Sequence, residues 1–450
     1  MAATELEKDS KIQKIKEILL NKVKELKWYY FDVELGSFDT TKVQPSTIED
    51  FFNDIKVVDE RYQYTGEILT NSDLYQKGIQ SILSVANHNE YIFTEVAKRI
   101  FDINVILNES DANSGLMGKF NEEDRIERNK YYKELIVNGF RNDSDNIVLM
   151  AEGDSWFEFP RVYLGIDAVK DIVDWLIQDD NFAVYSLASG GDWLSNMLYT
   201  GEYIEELPKV SPDAFLISGG GNDLVGNHRL ATMVVNPVVE GKRDFNKDEN
   251  KHLKELLALR LDPKNKNIDC EKYQLGLPLV AEEFLQFMNL IFVQYFLFLS
   301  NLTRKGSRYE RMVIVTHGYD FAIPSNKKHG NWLSVQRILN KFTDTGKWLF
   351  EALAMKGITK PDEQEAVVYV MIYEFNEVMI KLANYFPNVF HIDCRGVAAP
   401  DDWFDELHLK SNKFEQVSET YKKCIRENVK SIRQYNTFLK QKVYRVLDNK

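Results

Sequence analysis

From residue 146 onward the chain alternates short apolar runs with amphipathic segments, and this constrains the fold more than any other feature. Runs at 147–151, 182–187, 214–218, 312–316 and 389–393 have the length and composition of strands. Helical periodicity fills 167–178, 192–206, 332–355, 363–385 and 413–439. In the first of these, Val169, Ile172, Val173 and Leu176 share one face. Apolar strands separated by helices imply a parallel sheet covered on both faces. In such sheets chemistry collects beyond the carboxyl ends of the strands.

Before residue 146 the pattern differs. Ile12, Ile15, Ile18, Leu19 and Val23 fall at helical spacing, as do Tyr75, Ile79, Ile82 and Leu83. Strand signals are few. A chain of 450 residues exceeds one ordinary core. The expectation is an all-helical N-terminal domain over 1–145 and an α/β domain over 146–450, with the polar run 141–146 as the break. Within the second domain, residues 227–310 interrupt the alternation for far longer than a normal connection. They form an expected insertion, a candidate cap over the sheet's functional edge.

The most apolar stretch, 284–299, is interrupted by Gln286, Asn289 and Gln294 and falls short of the ~20 residues of a membrane span. A buried or partner-facing helix is expected, without stable membrane insertion. The N-terminal 20 residues read as an amphipathic helix and lack the apolar core of a signal peptide. Net charge is −13, with 69 acidic against 56 basic residues and no polybasic block, so nucleic acid is not an expected partner. Cys270, Cys394 and Cys424 are widely spaced, with no CxxC and no metal-ligand cluster. No metal or cofactor is expected, and a reducing cytoplasm fits the thiols.

The strand exits carry the chemistry. The first run leaves at Gly153-Asp154-Ser155, the second at Gly190-Gly191-Asp192, and the third at Gly220-Gly221-Asn222-Asp223. The last is followed, after a loop, by Asp405-Glu406-Leu407-His408. Ester hydrolysis needs a hydroxyl activated by a base, a third group to orient the base, and donors for the developing oxyanion. Ser155 can be the nucleophile, His408 the base and Asp405 the orienter. The i, i+3 spacing lets the carboxylate reach the imidazole. Gly191 can offer an unobstructed N–H, and Asn222 its side-chain amide.

These four blocks, in this order, resemble the SGNH or GDSL-type serine hydrolases over roughly residues 146–430. The resemblance implies a flavodoxin-like parallel sheet sandwiched by helices, the SGNH hydrolase fold. It also implies an oxyanion hole from Ser155, Gly191 and Asn222, no metal requirement, and small acyl-ester substrates. Two positions depart from the family pattern. Phe159 stands where a glycine often follows the serine by four residues, and Leu409 replaces a common proline after the histidine.

Asp154, Trp156, His317 and Trp403 are candidate pocket residues. Two other functions compete. In one, Asp154, Asn222, Asp223, His317 and His408 form the metal set of a metallophosphoesterase, although no early Asp-x-His pair and no late Gly-His-x-His pair is present. In the other, the hydrolase fold is a scaffold, and residues 1–145 bind a protein partner or a second copy.

Overall fold

The structure is a computed structural model that describes residues 115–159, 169–325 and 348–449, apart from 264, 266, 267, 304 and 305. The expected helices before residue 115 lie outside the described residues, as does most of the one expected over 332–355.

Six parallel strands form one sheet: β1 (Ile147–Gly153), β2 (Phe182–Ser186), β3 (Ala214–Ser218), β4 (Val313–His317), β5 (Val389–Asp393) and β6 (Val443–Arg445). Their order is β2-β1-β3-β4-β5-β6. The first five strands thus follow the doubly wound order 2-1-3-4-5, which reverses direction beside β1. Every residue of β1, β3, β4 and β5 is buried, so both faces of the sheet are covered. β6 was not anticipated, because three residues are too few to show a period.

The helices, in chain order, are α1 (Gly115–Val137), α2 (Ile172–Ile177), α3 (Leu194–Thr200), α4 (Glu202–Val210), α5 (Gly221–Val225), α6 (Lys251–Arg260), α7 (Cys270–Gly276), α8 (Glu282–Thr303), α9 (Trp348–Met355), α10 (Pro361–Tyr385) and α11 (Ser411–Tyr435). α2 and α11 pack together, α11 also meeting β4 and β5, while α3 and α4 meet β1. α10 meets β4 and β5 and also packs against α7 and α8.

Local chemistry moves two of the expected boundaries. α2 starts at Ile172 because Asp171 caps it, with its carboxylate on the Asp174 N–H and Asp174 returning the bond to the Asp171 N–H. The helix expected over 192–206 is two helices, broken where Gly201 turns left-handed at φ 61°.

Two larger expectations meet the packing. α1, expected on the N-terminal side of a boundary at 145, lies against β2, with the Tyr132 and Tyr185 rings 5.3 Å apart edge to face. The insertion over 227–310 divides: 236–272 is largely at the surface, and 273–302 is largely interior. Its helix α8 is long and apolar enough to cross a membrane by length and composition, yet it is buried against α10 and α3. Arg260 and Tyr273 tie the insertion to α10 through the buried Glu374, at 2.7 Å and 2.6 Å.

Candidate active site

The turn after β1 is built around Asp154. Its carbonyl accepts the N–H groups of Phe157 (2.9 Å) and Glu158 (3.0 Å), closing the turn. Its buried carboxylate accepts the Trp156 N–H at 3.1 Å, the Ser218 hydroxyl at 2.7 Å and the Tyr319 hydroxyl. Gly153 is tightly placed: a Cβ there would lie 2.8 Å from both Phe157 and Ser218. β1 and β3 thus close up under Ser155, which sits half-buried at the crest of the turn.

The loop after β5 presents its two residues to this turn. Trp403 and Leu409 form an antiparallel bridge, and the Phe404 N–H bonds the His408 carbonyl at 2.8 Å. Inside this tight loop Asp405 accepts the N–H groups of Leu407 and His408, both at 2.8 Å. His408 Nδ1 lies 2.8 Å from both Asp405 carboxylate oxygens, and His408 Nε2 lies 2.7 Å from Ser155 Oγ. Burial pushes the Asp405 pKa up, but the imidazole and the two N–H donors outweigh it and hold the carboxyl below its usual range. A hydroxyl, an imidazole and an ionised carboxylate therefore stand in one hydrogen-bonded line.

The other two blocks flank the serine. Gly191 is left-handed, at φ 86°. The Asn222 amide donates to the Asp192 carbonyl at 3.0 Å, and an amide nitrogen has a second hydrogen to offer. Asp223 accepts the Leu194 N–H at 2.7 Å, so it ties the third block to the second. Gly221 has no room for a side chain, because a Cβ would meet the Tyr319 ring at 2.8 Å.

A cavity of about 640 Å³, solvent at its mouth included, opens beside Ser155, and Asp154, Trp156 and Asn222 line it. His317 and Trp403 do not. His317 is buried behind Trp156, ring stacked on ring at 5.1 Å, with Nδ1 at 2.9 Å from the Gly318 carbonyl oxygen. Burial lowers its pKa despite Asp154 nearby, so it is held neutral. Trp403 is buried in the loop that carries Asp405 and His408. Phe159, in place of the family glycine, packs edge to face on the His408 ring at 4.8 Å. Among the described residues no three His, Cys, Asp or Glu side chains gather as metal ligands.

Four supporting residues escaped the sequence reading. Asn121, on α1, exchanges two 3.0 Å hydrogen bonds with the Gly190 backbone, next to Gly191. Arg128, also on α1, donates to the Phe157 carbonyl at 2.6 Å. Tyr319 joins the first and third blocks, donating to Asp154 and accepting the Gly221 N–H at 3.0 Å. Glu406 accepts the N–H groups of Ser325 (2.7 Å), Leu349 (2.8 Å) and Phe350 (3.0 Å), and burial still raises its pKa to about 7. The only signal any of them gave was position: Tyr319 follows a strand end, and Glu406 lies inside the last block.

No family model matches the chain, and no curated protein matches it. Among solved structures it is similar to a candidate GDSL-like lipase from Parabacteroides merdae. The identity is 11% and the TM-score 0.28, over 64% of this chain and 96% of that one. So slight a likeness carries nothing about activity, and function rests on the geometry of the site.

Proposed function

We propose that the chain is a serine acyl-ester hydrolase of the SGNH type, with the corresponding fold. The observation that carries this reading is the line from Ser155 Oγ through His408 to Asp405, at 2.7 Å and 2.8 Å. The order of the four blocks along the chain and their meeting at one sheet edge support it.

In this reading Ser155 Oγ attacks the ester carbonyl carbon while His408 Nε2 takes its proton. Asp405, held ionised, fixes the ring by Nδ1 and stabilises the imidazolium. The Ser155 and Gly191 N–H groups and the Asn222 amide receive the oxyanion. The C–O bond breaks, the alcohol leaves with the proton from His408, and an acyl-Ser155 remains. Water, deprotonated by His408, then releases the acid and restores the hydroxyl. Each step uses side chains, backbone N–H groups and water. The two buried free thiols, Cys394 and Cys424, agree with a reducing, cytoplasmic setting. Recognition of a protein partner, or self-association, is assigned to the N-terminal region, residues 1–145.

A fluorophosphonate probe tests the reading. It should label the protein at Ser155, mapped by peptide mass, and hydrolysis should be insensitive to chelators. Labelling elsewhere, or turnover that requires an added divalent metal, overturns the proposal and favours the metallophosphoesterase.

Asn222→Ala should lower kcat by roughly 10²–10³-fold, the usual effect of removing one oxyanion donor. KM should change little, since the charge develops only in the transition state. Steady-state kinetics separates the two constants. Intact kcat with a raised KM would make Asn222 a substrate-binding residue instead.

A further inference from the structure

The cavity beside Ser155 has one polar end. Asp154, Ser155 and Asn222 lie there, with Gly220 and Gly221. From that end it runs into a wall made by Leu224 and Val225 of α5, Leu349 of α9, and Val368, Met371 and Phe375 of α10. All six side chains are apolar, and all are buried to within a few per cent. The insertion adds Leu230 to this lining.

The polar groups that do touch the cavity are turned to other partners. The Tyr319 hydroxyl donates to Asp154, and Asp154 also accepts from Ser218 and Trp156. Asp320 accepts three backbone N–H groups, from Phe321 (2.7 Å), Gly396 (2.6 Å) and Ala398 (2.7 Å). A polar acyl group entering here would leave water and find no replacement hydrogen bonds. An apolar chain would lose nothing and leave water for a matched surface.

A glycine also brings the apolar wall up to the polar end. Gly220 is left-handed at φ 105°, and a Cβ there would lie 2.7 Å from the Phe375 ring. The missing side chain lets Phe375 come up against the third block. Met371 beside it is unbranched and adapts its shape to what it packs on.

We infer that this cavity is the acyl site, and that the substrate is an ester of an apolar fatty acyl chain and not an acetyl or polar acyl ester. The inference rests on the hydrolase reading above and goes beyond it by naming the acyl class. The carbonyl lies at the polar end against Ser155. The chain lies along α10, toward Met371 and Phe375. The alcohol leaves through the mouth. The part of the insertion expected to act as a cap touches the acyl chain through Leu230.

The test is a nitrophenyl ester series from acetate through butyrate, hexanoate and octanoate to decanoate, run on the full chain, with fluorophosphonate labelling of Ser155 in parallel. Burying each methylene should raise kcat/KM about fourfold, so hexanoate should exceed acetate by on the order of a hundredfold. Val368→Phe, which fills the cavity, should lower the hexanoate-to-acetate ratio at least about tenfold, the loss expected from excluding two methylenes. Met371→Ala, which enlarges it, should move the optimum to a longer chain. Both readouts are relative, so a partly unfolded sample scales all esters alike and leaves them interpretable. A flat or falling series with Ser155 labelled overturns the acyl assignment and leaves the hydrolase reading standing. Absence of both labelling and turnover overturns the hydrolase reading, and the acyl assignment falls with it.

Discussion

Ser155→Ala is expected to lower ester turnover by about 10³-fold or more and to leave the fold intact. The turn that carries Ser155 is held by Asp154 through its carbonyl and carboxylate, and none of those bonds uses the serine hydroxyl. The hydroxyl bonds His408 Nε2, and that ring keeps its place through Asp405. Removing one oxygen from a half-buried crest therefore costs the molecule its nucleophile and little packing. The same line predicts the pH dependence. Asp405 is held below its usual pKa, so it stays ionised beside the ring over a wider acid range than a free carboxylate would. Activity should fall as the pH falls and His408 takes a proton it must be free of to act as a base. That dependence should disappear in His408→Ala together with most activity. The stability that Asp405 contributes is present above its ordinary pKa and is lost only as the pH falls through its depressed value. Matched kinetics and thermal melts of the variants check all of this. Full turnover in pure Ser155→Ala would move the nucleophile elsewhere.

Why were these residues legible in the sequence when their supports were not? Each block couples a strand end to backbone that only certain residues tolerate. Gly153, Gly191, Gly220 and Gly221 are glycines because a side chain would collide or a left-handed turn is required. Such needs are local, so they appear as short motifs beside apolar runs. The doubly wound order follows from the same runs, because parallel strands with helical crossovers have few arrangements. Asn121 and Arg128 carry no comparable mark. They are polar residues in a helix of low net hydrophobicity, and their partners lie 69 and 29 residues away. In sequence a buried arginine looks like a solvated one. The cavity wall is hidden for the opposite reason. α10 is apolar around most of its circumference, so nothing distinguishes the face that lines the cavity from the face that packs on β4 and β5. His317 could mislead because a histidine at a strand exit has the position of a site residue, and only the stacked Trp156 ring removes it from the cavity.

Arg128 leads to the second large effect, which concerns stability and the extent of the catalytic unit. Arg128 is 3% exposed. One nitrogen donates to the Phe157 carbonyl at 2.6 Å, two residues past Ser155, and also lies 2.7 Å from Glu158, which stands outside hydrogen-bond alignment. The other donates to Asp171 at 2.6 Å and Asp174 at 3.0 Å, the two residues that cap α2. Burial works against the charge, yet Asp171 and Glu158 hold Arg128 protonated, with its pKa above the ordinary value. A single side chain of α1 thus lies against three buried acids and ties the serine turn to the start of α2. Arg128→Met keeps much of the stem and removes a buried positive charge that those carboxylates share. Breaking a buried pair in this way typically costs about 3–5 kcal/mol, because the remaining charge stays desolvated. In a domain of this size the melting temperature should drop by roughly 10 °C. Arg128→Lys should recover only part of the loss, since an ammonium cannot span the same fork of partners. It follows that a truncation through residue 145, which removes α1 with Asn121 and Arg128, should abolish labelling of Ser155. A truncated protein that stays folded and labels normally, or an Arg128→Met melt that matches wild type, would return α1 to a separate N-terminal domain.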